Sequence, residues 1–158
     1  MSKIAIVGPG ASGKDLLRMR MQNRGFKFGV SCTTRPPREG EIHGKDYYYL
    51  TDVEFEHGIV SNQFVEWQEF NGWKYGMTKE EFEICDVMIL NAEAVNLLES
   101  KYRNRLFIIY TDIDEKVRLN RLIERDDYKH EPACRIEEDK KQFKNFTNFD
   151  LRITNPNF

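Results

Sequence analysis

The feature that most constrains the fold of this chain is a glycine-rich loop near its start, "GPGASGK". An apolar run at residues 4–7 precedes the loop and predicts a buried strand. A helical pattern over residues 14–24 follows, with Gly25 placed as its C-terminal stop. Glycines let backbone N–H groups curl around a phosphate, and the start of a helix adds partial positive charge. The spacing G-x-x-x-x-G-K therefore predicts an α/β fold that carries a loop for nucleotide phosphates.

The loop supplies the candidate residues for binding ATP. They are Gly8, Pro9, Gly10, Ala11, Ser12, Gly13 and Lys14. The ammonium group of Lys14 is expected to reach the terminal phosphates, which makes it a candidate catalytic residue. Asp15 follows, where a hydroxyl group that ligates magnesium is usual. Because a carboxylate is a hard oxygen donor, we expect Asp15 to belong to the ATP site and to bind Mg²⁺ directly or through water. The alternative is that the loop is degraded.

The remaining strand and helix patterns indicate the architecture. Apolar runs at residues 86–91 and 105–111 are each followed by a helical pattern, which favours a parallel sheet. Residues 35–78 alternate Pro, Gly, aromatic and charged residues in short pieces that are typical of antiparallel strands. For 158 residues we expect a single domain of the α/β class, residues 1–158. Its P-loop NTPase-type parallel sheet core, with helices on both faces, would comprise residues 1–32 and 79–158. A small inserted antiparallel β lobe would cover about residues 33–78 and leave a ligand cleft beside the core.

Local signals predict further elements along the chain. Thr78 followed by Glu81 fits a capping box that opens a short helix. Residues 92–102 predict one continuous helix, and residues 112–126 predict another. The apolar positions of this second helix are Val117, Leu119, Leu122 and Ile123. The other predictions are strands at residues 26–34 and 150–155 and a helix at residues 131–143.

Charge and composition limit the partners that we expect. The formal net charge is -2, so no overall basic field would recruit nucleic acid. No apolar run approaches the roughly 20 residues of a membrane span, and the first residues lack the features of a secretory signal. The cysteines Cys32, Cys85 and Cys134 are odd in number and show no metal-ligand spacing, which favours free thiols in a reducing compartment. We therefore expect a cytoplasmic protein with small-molecule nucleotide partners. The sequence leaves monomer and homodimer open.

One stretch of the sequence resembles a known family. Residues 33–47, "TTRPPREGEIHGKDY", match every fixed place of T-T-R-x-P-R-x-G-E-x-x-G-x-D-Y, the signature of the guanylate kinase family. The resemblance continues as "FVEW" and "YGMT", and it covers nearly the whole chain in the same order. It implies an enzyme that transfers the γ-phosphoryl group of ATP to GMP or dGMP, with Mg²⁺, giving GDP or dGDP.

Four residues are expected to hold the phosphate of the acceptor nucleotide. Arg35 and Arg38 lie on a proline-stiffened loop, so two guanidinium forks can grip a phosphate at a fixed separation. Tyr47 and Tyr75 can donate phenolic hydrogen bonds to the same group. By resemblance to the family, all four bind the monophosphate of GMP.

The guanine base is expected to be read by Glu66. Guanine presents two adjacent donors, N1–H and the 2-amino group, which match the two acceptor oxygens of a carboxylate. The resemblance also places Ser31 and Glu93 close to the base. Met77 departs from the family, which usually carries Ser or Thr there as a donor to guanine O6, and Met cannot donate.

Several arginines lie near the end of the chain. Arg118, Arg121 and Arg125 lie near one helical face, and Arg135 follows on the next segment. Without the family resemblance, a solvated helix with salt bridges would be the ordinary reading. The resemblance implies a lid at about residues 122–137, in which Arg125 and Arg135 stabilise the transferred phosphoryl group. It also places Asn155 near the ATP site.

Two alternatives to a guanylate-kinase-like activity remain open on the sequence. Met77 motivates a (deoxy)nucleoside monophosphate kinase with altered base choice. Asp15 motivates a catalytically silent binding module, because some relatives of guanylate kinases serve as interaction domains. Lys14, Arg35 and Arg38 argue against the silent module.

Overall fold

The computed structural model describes residues 2–70, 72–125 and 132–158, apart from the side chain of Arg125. The strands are β1 (Lys3–Val7), β2 (Cys32–Thr33), β3 (Tyr48–Tyr49), β4 (Phe64–Phe70), β5 (Trp73–Thr78), β6 (Val87–Leu90), β7 (Leu106–Thr111) and β8 (Leu151–Ile153). The helices are α1 (Lys14–Gln22), α2 (Asp52–Val60), α3 (Lys79–Ile84), α4 (Ala92–Leu97), α5 (Ser100–Arg103), α6 (Glu115–Arg125) and α7 (Pro132–Phe143).

A parallel sheet forms the core and confirms the predicted α/β class. Its strand order is β6-β1-β7-β8, and every neighbouring pair is parallel. The central strand β1 is apolar because it is covered on both sides, and Ala5, Ile6 and Val7 are fully buried. The glycine loop leaves the carboxyl end of β1, the edge of a parallel sheet where ligands usually bind.

A second sheet, ordered β3-β2-β5-β4, is formed by the middle of the chain. β5 pairs antiparallel with β2 and β4, as the sequence pattern predicts, but β2 and β3 run parallel. The prediction of a strand over residues 26–34 was largely wrong, because only Cys32–Thr33 is a strand. Phe28 makes a single isolated bridge to Val87 of the core sheet.

The middle segment also contains helix α2, which the prediction of strands alone missed. The helix begins with a complete capping box, in which Thr51 accepts from the Glu54 N–H and Glu54 accepts from the Thr51 N–H. These reciprocal bonds satisfy backbone donors that a helix start would otherwise leave free. Phe55 and Gly58 form its buried side, and Phe55 stacks on Phe64 with ring centroids 4.5 Å apart.

Two helix predictions were wrong in detail. Thr78 accepts from the Glu81 N–H at 3.2 Å, but the carboxylate of Glu81 does not complete the capping box. It accepts instead from the Tyr48 hydroxyl group at 2.9 Å and from the Val30 N–H at 3.1 Å. The helix predicted over residues 92–102 is two helices, α4 and α5, separated at Leu98 and Glu99.

One hydrophobic cluster joins the two sheets. Val65 and Met77 of the second sheet belong to the same buried cluster as Val7, Met88 and Ile108 of the core. Shared burial of this kind fixes the second sheet against the core and leaves a cleft at the carboxyl edge of the strands. None of the helices in the described ranges is both long and apolar enough to cross a bilayer.

Candidate active site

A cavity of about 500 Å³ lies between the glycine loop and the second sheet. This volume falls within the usual range for small-molecule sites. The predicted site residues that line it are Gly8, Lys14, Asp15, Ser31, Arg35, Arg38, Tyr47, Glu66, Tyr75 and Arg135. The fold thus brings most of the residues singled out from the sequence into one space, although they come from distant parts of the chain.

The glycine loop is held tightly against strand β7. A Cβ atom at Gly8 would collide with the Thr111 hydroxyl oxygen and would lie 2.7 Å from Ser12 Oγ. The hydroxyl groups of Ser12 and Thr111 lie 2.7 Å apart and are buried. Gly13 has a φ of 90°, in the left-handed region that favours glycine, immediately before α1 begins. Gly8 and Gly13, the two glycines of the G-x-x-x-x-G-K spacing, are therefore both needed for the shape of the loop.

Lys14 closes the loop from inside the cavity. Its Nζ donates to the carbonyl oxygens of Gly8 and Pro9 at 2.7 and 2.8 Å. Burial lowers the pKa of Lys14 to about 8, and the nearby carboxylates of Asp15 and Asp139 oppose this shift. Phosphate oxygens in the cavity would favour the protonated form further, so the site is built to hold a cation against an anionic ligand.

Asp15 stands at the first turn of α1 with its side chain 66% exposed, and it lines the cavity. Its Oδ1 lies 4.0 Å from Arg18 Nε. Among the described residues, no group of three or more His, Cys, Asp or Glu side chains could hold a metal ion. A single exposed carboxylate suits Mg²⁺, which usually keeps several waters and binds substrate phosphates together with one or two carboxylates.

A buried ion pair ties the glycine loop to the two last helices. Asp139 of α7 is 2% exposed, and its Oδ2 accepts from the Gly10 N–H at 2.9 Å and from Arg118 Nη1 at 3.0 Å. Arg118 also donates to the carbonyl oxygen of Ile113 at 3.1 Å. Arg118 is therefore buried, unlike the arginines of an ordinary solvated helix. The apolar position assigned to Ile123 was wrong, because this residue is 59% exposed.

Asp139 was missed because an acid in a charged helix normally indicates a solvated face. Its burial follows from the turn of α7 that also buries Ile136 three residues earlier. The only sequence signal was this spacing to an apolar residue, which many exposed acids share.

We expect Asp139→Ala to lower the free energy of unfolding by about 3–5 kcal/mol, because it leaves the Arg118 guanidinium buried without its charge partner. The double variant Arg118→Leu with Asp139→Ala should recover most of this loss. Urea unfolding monitored by circular dichroism measures both. Glu137→Ala, at an exposed pair on the same helix, is the control and should change stability by less than about 1 kcal/mol. An equally small change for Asp139→Ala would contradict the role of the pair.

The other arginines differ in their surroundings. Arg121 donates to the Ala11 carbonyl at 3.0 Å and to the Pro156 carbonyl at 2.8 Å, which brings the last residues beside the loop. Asn155 is exposed there and does not line the cavity. Arg135 lines the cavity, with its guanidinium carbon 4.8 Å from the Phe70 ring centroid and its Nε 3.6 Å from Asp139. The side chain of Arg125 and residues 126–131 of the predicted lid lie outside the described residues.

A cluster around Glu41 organises the predicted phosphate clamp. Glu41 accepts from Arg35 Nη2 at 2.9 Å, from the Arg38 N–H at 2.7 Å and from the Tyr49 hydroxyl group at 2.8 Å. Burial acts to raise the pKa of Glu41, but these hydrogen bonds outweigh it and lower the pKa to about 2. Glu41 therefore stays ionised and holds the loop that carries both arginines, a role that sequence reasoning did not assign.

Two tyrosines complete the clamp. The rings of Tyr47 and Tyr75 meet edge to face with centroids 6.1 Å apart, and the Arg35 guanidinium carbon lies 5.4 Å from the Tyr47 ring centroid. Burial raises the pKa of Tyr47 to about 12, so its phenol remains a hydrogen-bond donor. Arg38 is exposed and lines the cavity from its rim. Cationic forks and phenolic donors thus face one space, which suits a phosphate group.

Glu66 of β4 lines the same cavity. Its Oε1 accepts from the Met77 N–H at 3.0 Å, while its Oε2 is buried and has no hydrogen-bond partner among the described residues. Burial raises the pKa of Glu66 to about 8, and the Met77 N–H opposes the shift. A buried acceptor without a partner marks a place where a ligand with N–H donors would be stabilised.

The start of α4 presents Asn91, and not Glu93, to the cavity. Glu93 is exposed on the first turn of α4 and does not line the cavity, and its contact with the base stays a prediction. Asn91, at the N-cap of that helix, lines the cavity instead. The reason is that α4 begins at Ala92 and turns the next side chain outward. Met77 is fully buried in the hydrophobic cluster and contributes to the site through its backbone N–H.

A glycine loop at the carboxyl edge of a parallel sheet, opening into a cavity lined by cations, defines the class of P-loop α/β proteins. Comparison with known sequences specifies the class further. The guanylate kinase family model matches residues 1–158, and the chain belongs to this family.

Individual relatives agree with this assignment. The chain is 36% identical over 132 residues to the guanylate kinase of Onion yellows phytoplasma, covering 77% of this chain and 62% of the relative. It is 30% identical over 168 residues to the guanylate kinase of Thermotoga maritima, covering 96% of this chain and 78% of the relative. The chain thus spans less than two thirds of the length of some relatives. The fold resembles the crystal structure of guanylate kinase from Anaplasma phagocytophilum, with a TM-score of 0.71, 21% identity, and coverage of 98% of this chain and 76% of that one.

Proposed function

We propose that this protein is an ATP- and Mg²⁺-dependent nucleoside monophosphate kinase that transfers the γ-phosphoryl group of ATP to GMP or dGMP, giving GDP or dGDP. The observation that carries the proposal is the shared cavity. It contains an anion clamp, an acceptor suited to guanine at Glu66, and the phosphate-loop lysine Lys14. An enzyme that transfers a phosphoryl group between two nucleotides needs these three features within reach of one another.

The acceptor nucleotide would bind with its phosphate at the clamp and its base at Glu66. Arg35 and Arg38 supply the cationic forks, and the phenols of Tyr47 and Tyr75 donate hydrogen bonds to the same phosphate. Ser31 lines the same cavity, and its hydroxyl group can donate a hydrogen bond to the base. With the phosphate fixed, an oxygen of the monophosphate is the nucleophile.

The donor nucleotide would bind with its phosphates on the glycine loop, residues 8–13. Lys14 neutralises charge on the transferred phosphoryl group, and Arg135 approaches it from α7. We retain Arg125 as a further proposed catalytic arginine and Asn155 as a proposed ATP contact on the resemblance alone. Little proton chemistry is required, so alignment and charge neutralisation account for the rate.

Magnesium, when bound with ATP, would neutralise negative charge on the phosphates. Asp15 is the residue of this chain that would hold it, directly or through water. We expect Asp15→Ala to raise the Mg²⁺ concentration for half-maximal activity by about tenfold or more, while Asp15→Ser, which restores an oxygen ligand, should stay within about threefold. A magnesium titration of the initial rate measures this. A large gain in activity for Asp15→Ser would contradict a productive role for the carboxylate.

The proposed activity is tested by coupled ADP release with GMP, dGMP, AMP, dTMP and CMP as acceptors. Turnover with GMP or dGMP alone is the expected result. A flat profile would replace it with a nucleoside monophosphate kinase of altered base choice, the alternative that Met77 motivates. No turnover with any acceptor would favour a silent binding module.

We infer a cytoplasmic location and nucleotide partners, with neither nucleic acid nor membrane among them. The free thiols of Cys32 and Cys85 are buried, and burial raises their pKa to about 12 and about 11. Thiols held in the protonated form inside a core suit a reducing compartment.

A further inference from the structure

Gln68 is a polar residue of the cavity that the proposed mechanism does not use. It lies in β4, is 9% exposed, and lines the same cavity as Glu66. Residues two apart in a strand point to the same face and lie about 6.5–7 Å apart along it. Gln68 and Glu66 therefore face the same space from neighbouring positions, and Gln68 pairs across the sheet with the clamp residue Tyr75.

The two side chains share an unusual feature. Gln68 Oε1 and Glu66 Oε2 are both buried acceptor atoms without a hydrogen-bond partner among the described residues. The other Glu66 oxygen already accepts from the Met77 N–H at 3.0 Å. Buried polar atoms are nearly always paired, because an unpaired one loses its hydration without compensation. Two such atoms on one face of one strand call for a ligand edge that presents two neighbouring N–H donors.

We propose that Gln68 is a second base-reading residue, whose Oε1 accepts from the 2-amino group of guanine while Glu66 Oε2 accepts from N1–H. This inference rests on the proposed GMP site and deepens it. It assigns one N–H donor of the base to each of the two acceptor oxygens left unpaired among the described residues, because the other oxygen of Glu66 already accepts a hydrogen bond from the protein. The site then selects purines that carry an exocyclic 2-amino group.

The inference distinguishes two ligands that differ only at that group. Inosine monophosphate (IMP) keeps N1–H and O6 of guanine but lacks the 2-amino group. It therefore satisfies Glu66 and leaves Gln68 Oε1 without a partner. A Gln68 that only packed against the base, or that turned its amide to donate to O6, would serve GMP and IMP equally.

The test is titration calorimetry of GMP and IMP with the full chain and with Gln68→Met, which keeps the length of the side chain and removes its acceptor. The unaltered protein should bind GMP about tenfold or more tightly than IMP. Gln68→Met should weaken GMP binding about tenfold and change IMP binding by less than about threefold. The control is Glu69→Ala, on the exposed face of the same strand, which should change neither affinity.

Equal weakening of GMP and IMP, or no change in either, would overturn the inference. The melting temperature of Gln68→Met should be unchanged or higher, because the variant removes an unpaired buried oxygen. Binding is measured apart from turnover, so the two proposals fail separately. Loss of the GMP preference in Gln68→Met supports the inference even if no kinase activity is found, and activity with an unaltered preference contradicts the inference alone.

Discussion

Replacing Lys14 with methionine should lower kcat for phosphoryl transfer by about 10²–10³-fold, equivalent to about 2.7–4 kcal/mol of transition-state stabilisation. Lys14 is the cation of the glycine loop that faces the cavity, and its ammonium is already held by the carbonyl oxygens of Gly8 and Pro9. Methionine keeps the apolar stem but cannot neutralise charge on the transferred group. KM for GMP should change little, since the acceptor clamp is built from other segments, the loop between β2 and β3 and strand β5. Steady-state rates of ADP release at saturating ATP measure the effect.

Arg20→Met is the matched control for this prediction. Arg20 is an exposed cation on the same helix, and its replacement should leave kcat within about twofold. A Lys14→Met variant that kept a third or more of the original kcat would contradict the catalytic role proposed for the glycine loop.

Replacing Glu66 with glutamine should lower kcat/KM for GMP by about 10²–10⁴-fold, because a site built to accept N–H donors then presents an N–H of its own. The value of kcat/KM for AMP should fall far less, since N1 of adenine is an acceptor and does not depend on the carboxylate. The ratio of kcat/KM for GMP and AMP therefore measures the base-reading role directly. A GMP to AMP ratio that is the same in Glu66→Gln and in the unaltered protein would contradict it.

The pH dependence of GMP binding provides a second test of Glu66. Burial raises the pKa of its carboxyl group to about 8, so the free protein carries the proton below that pH. The ionised form accepts from guanine, so binding releases a proton and lowers the pKa in the complex. The affinity for GMP should rise with pH by up to about tenfold per unit below pH 8 and level off above it. Glu66→Gln should abolish this slope between pH 6.5 and 8, where the GMP phosphate is already mostly dianionic.

Local signals explain why the glycine loop could be predicted. The strand, the loop and α1 are adjacent in sequence, and the glycine spacing fixes a backbone shape. Helix α2 was missed because its apolar residues give only a weak helical periodicity. Val53 and Val60 are 79% and 85% exposed, and only Phe55 and Gly58 are buried. Its capping box was the one local signal that could have identified it.

Features that depend on tertiary contacts could not be predicted from the sequence. The pairing of Arg118 with Asp139 joins residues 21 positions apart, and each alone resembles a solvated charge. That Gln68 Oε1 is a buried acceptor without a hydrogen-bond partner in the described part of the chain can be recognised only from the position of β4 beside the cavity. The family signature located the clamp residues, but it did not reveal that Glu41 holds Arg35 and Tyr49 in place.

The most direct test of the account is a crystal structure of the chain with GMP, Mg²⁺ and a non-hydrolysable ATP analogue. We expect the GMP phosphate between Arg35, Arg38 and the two tyrosines, its base against Glu66, and the triphosphate on residues 8–14. Density for GMP outside this cavity, or a cavity that stays empty of both nucleotides at saturating concentrations, would contradict the account.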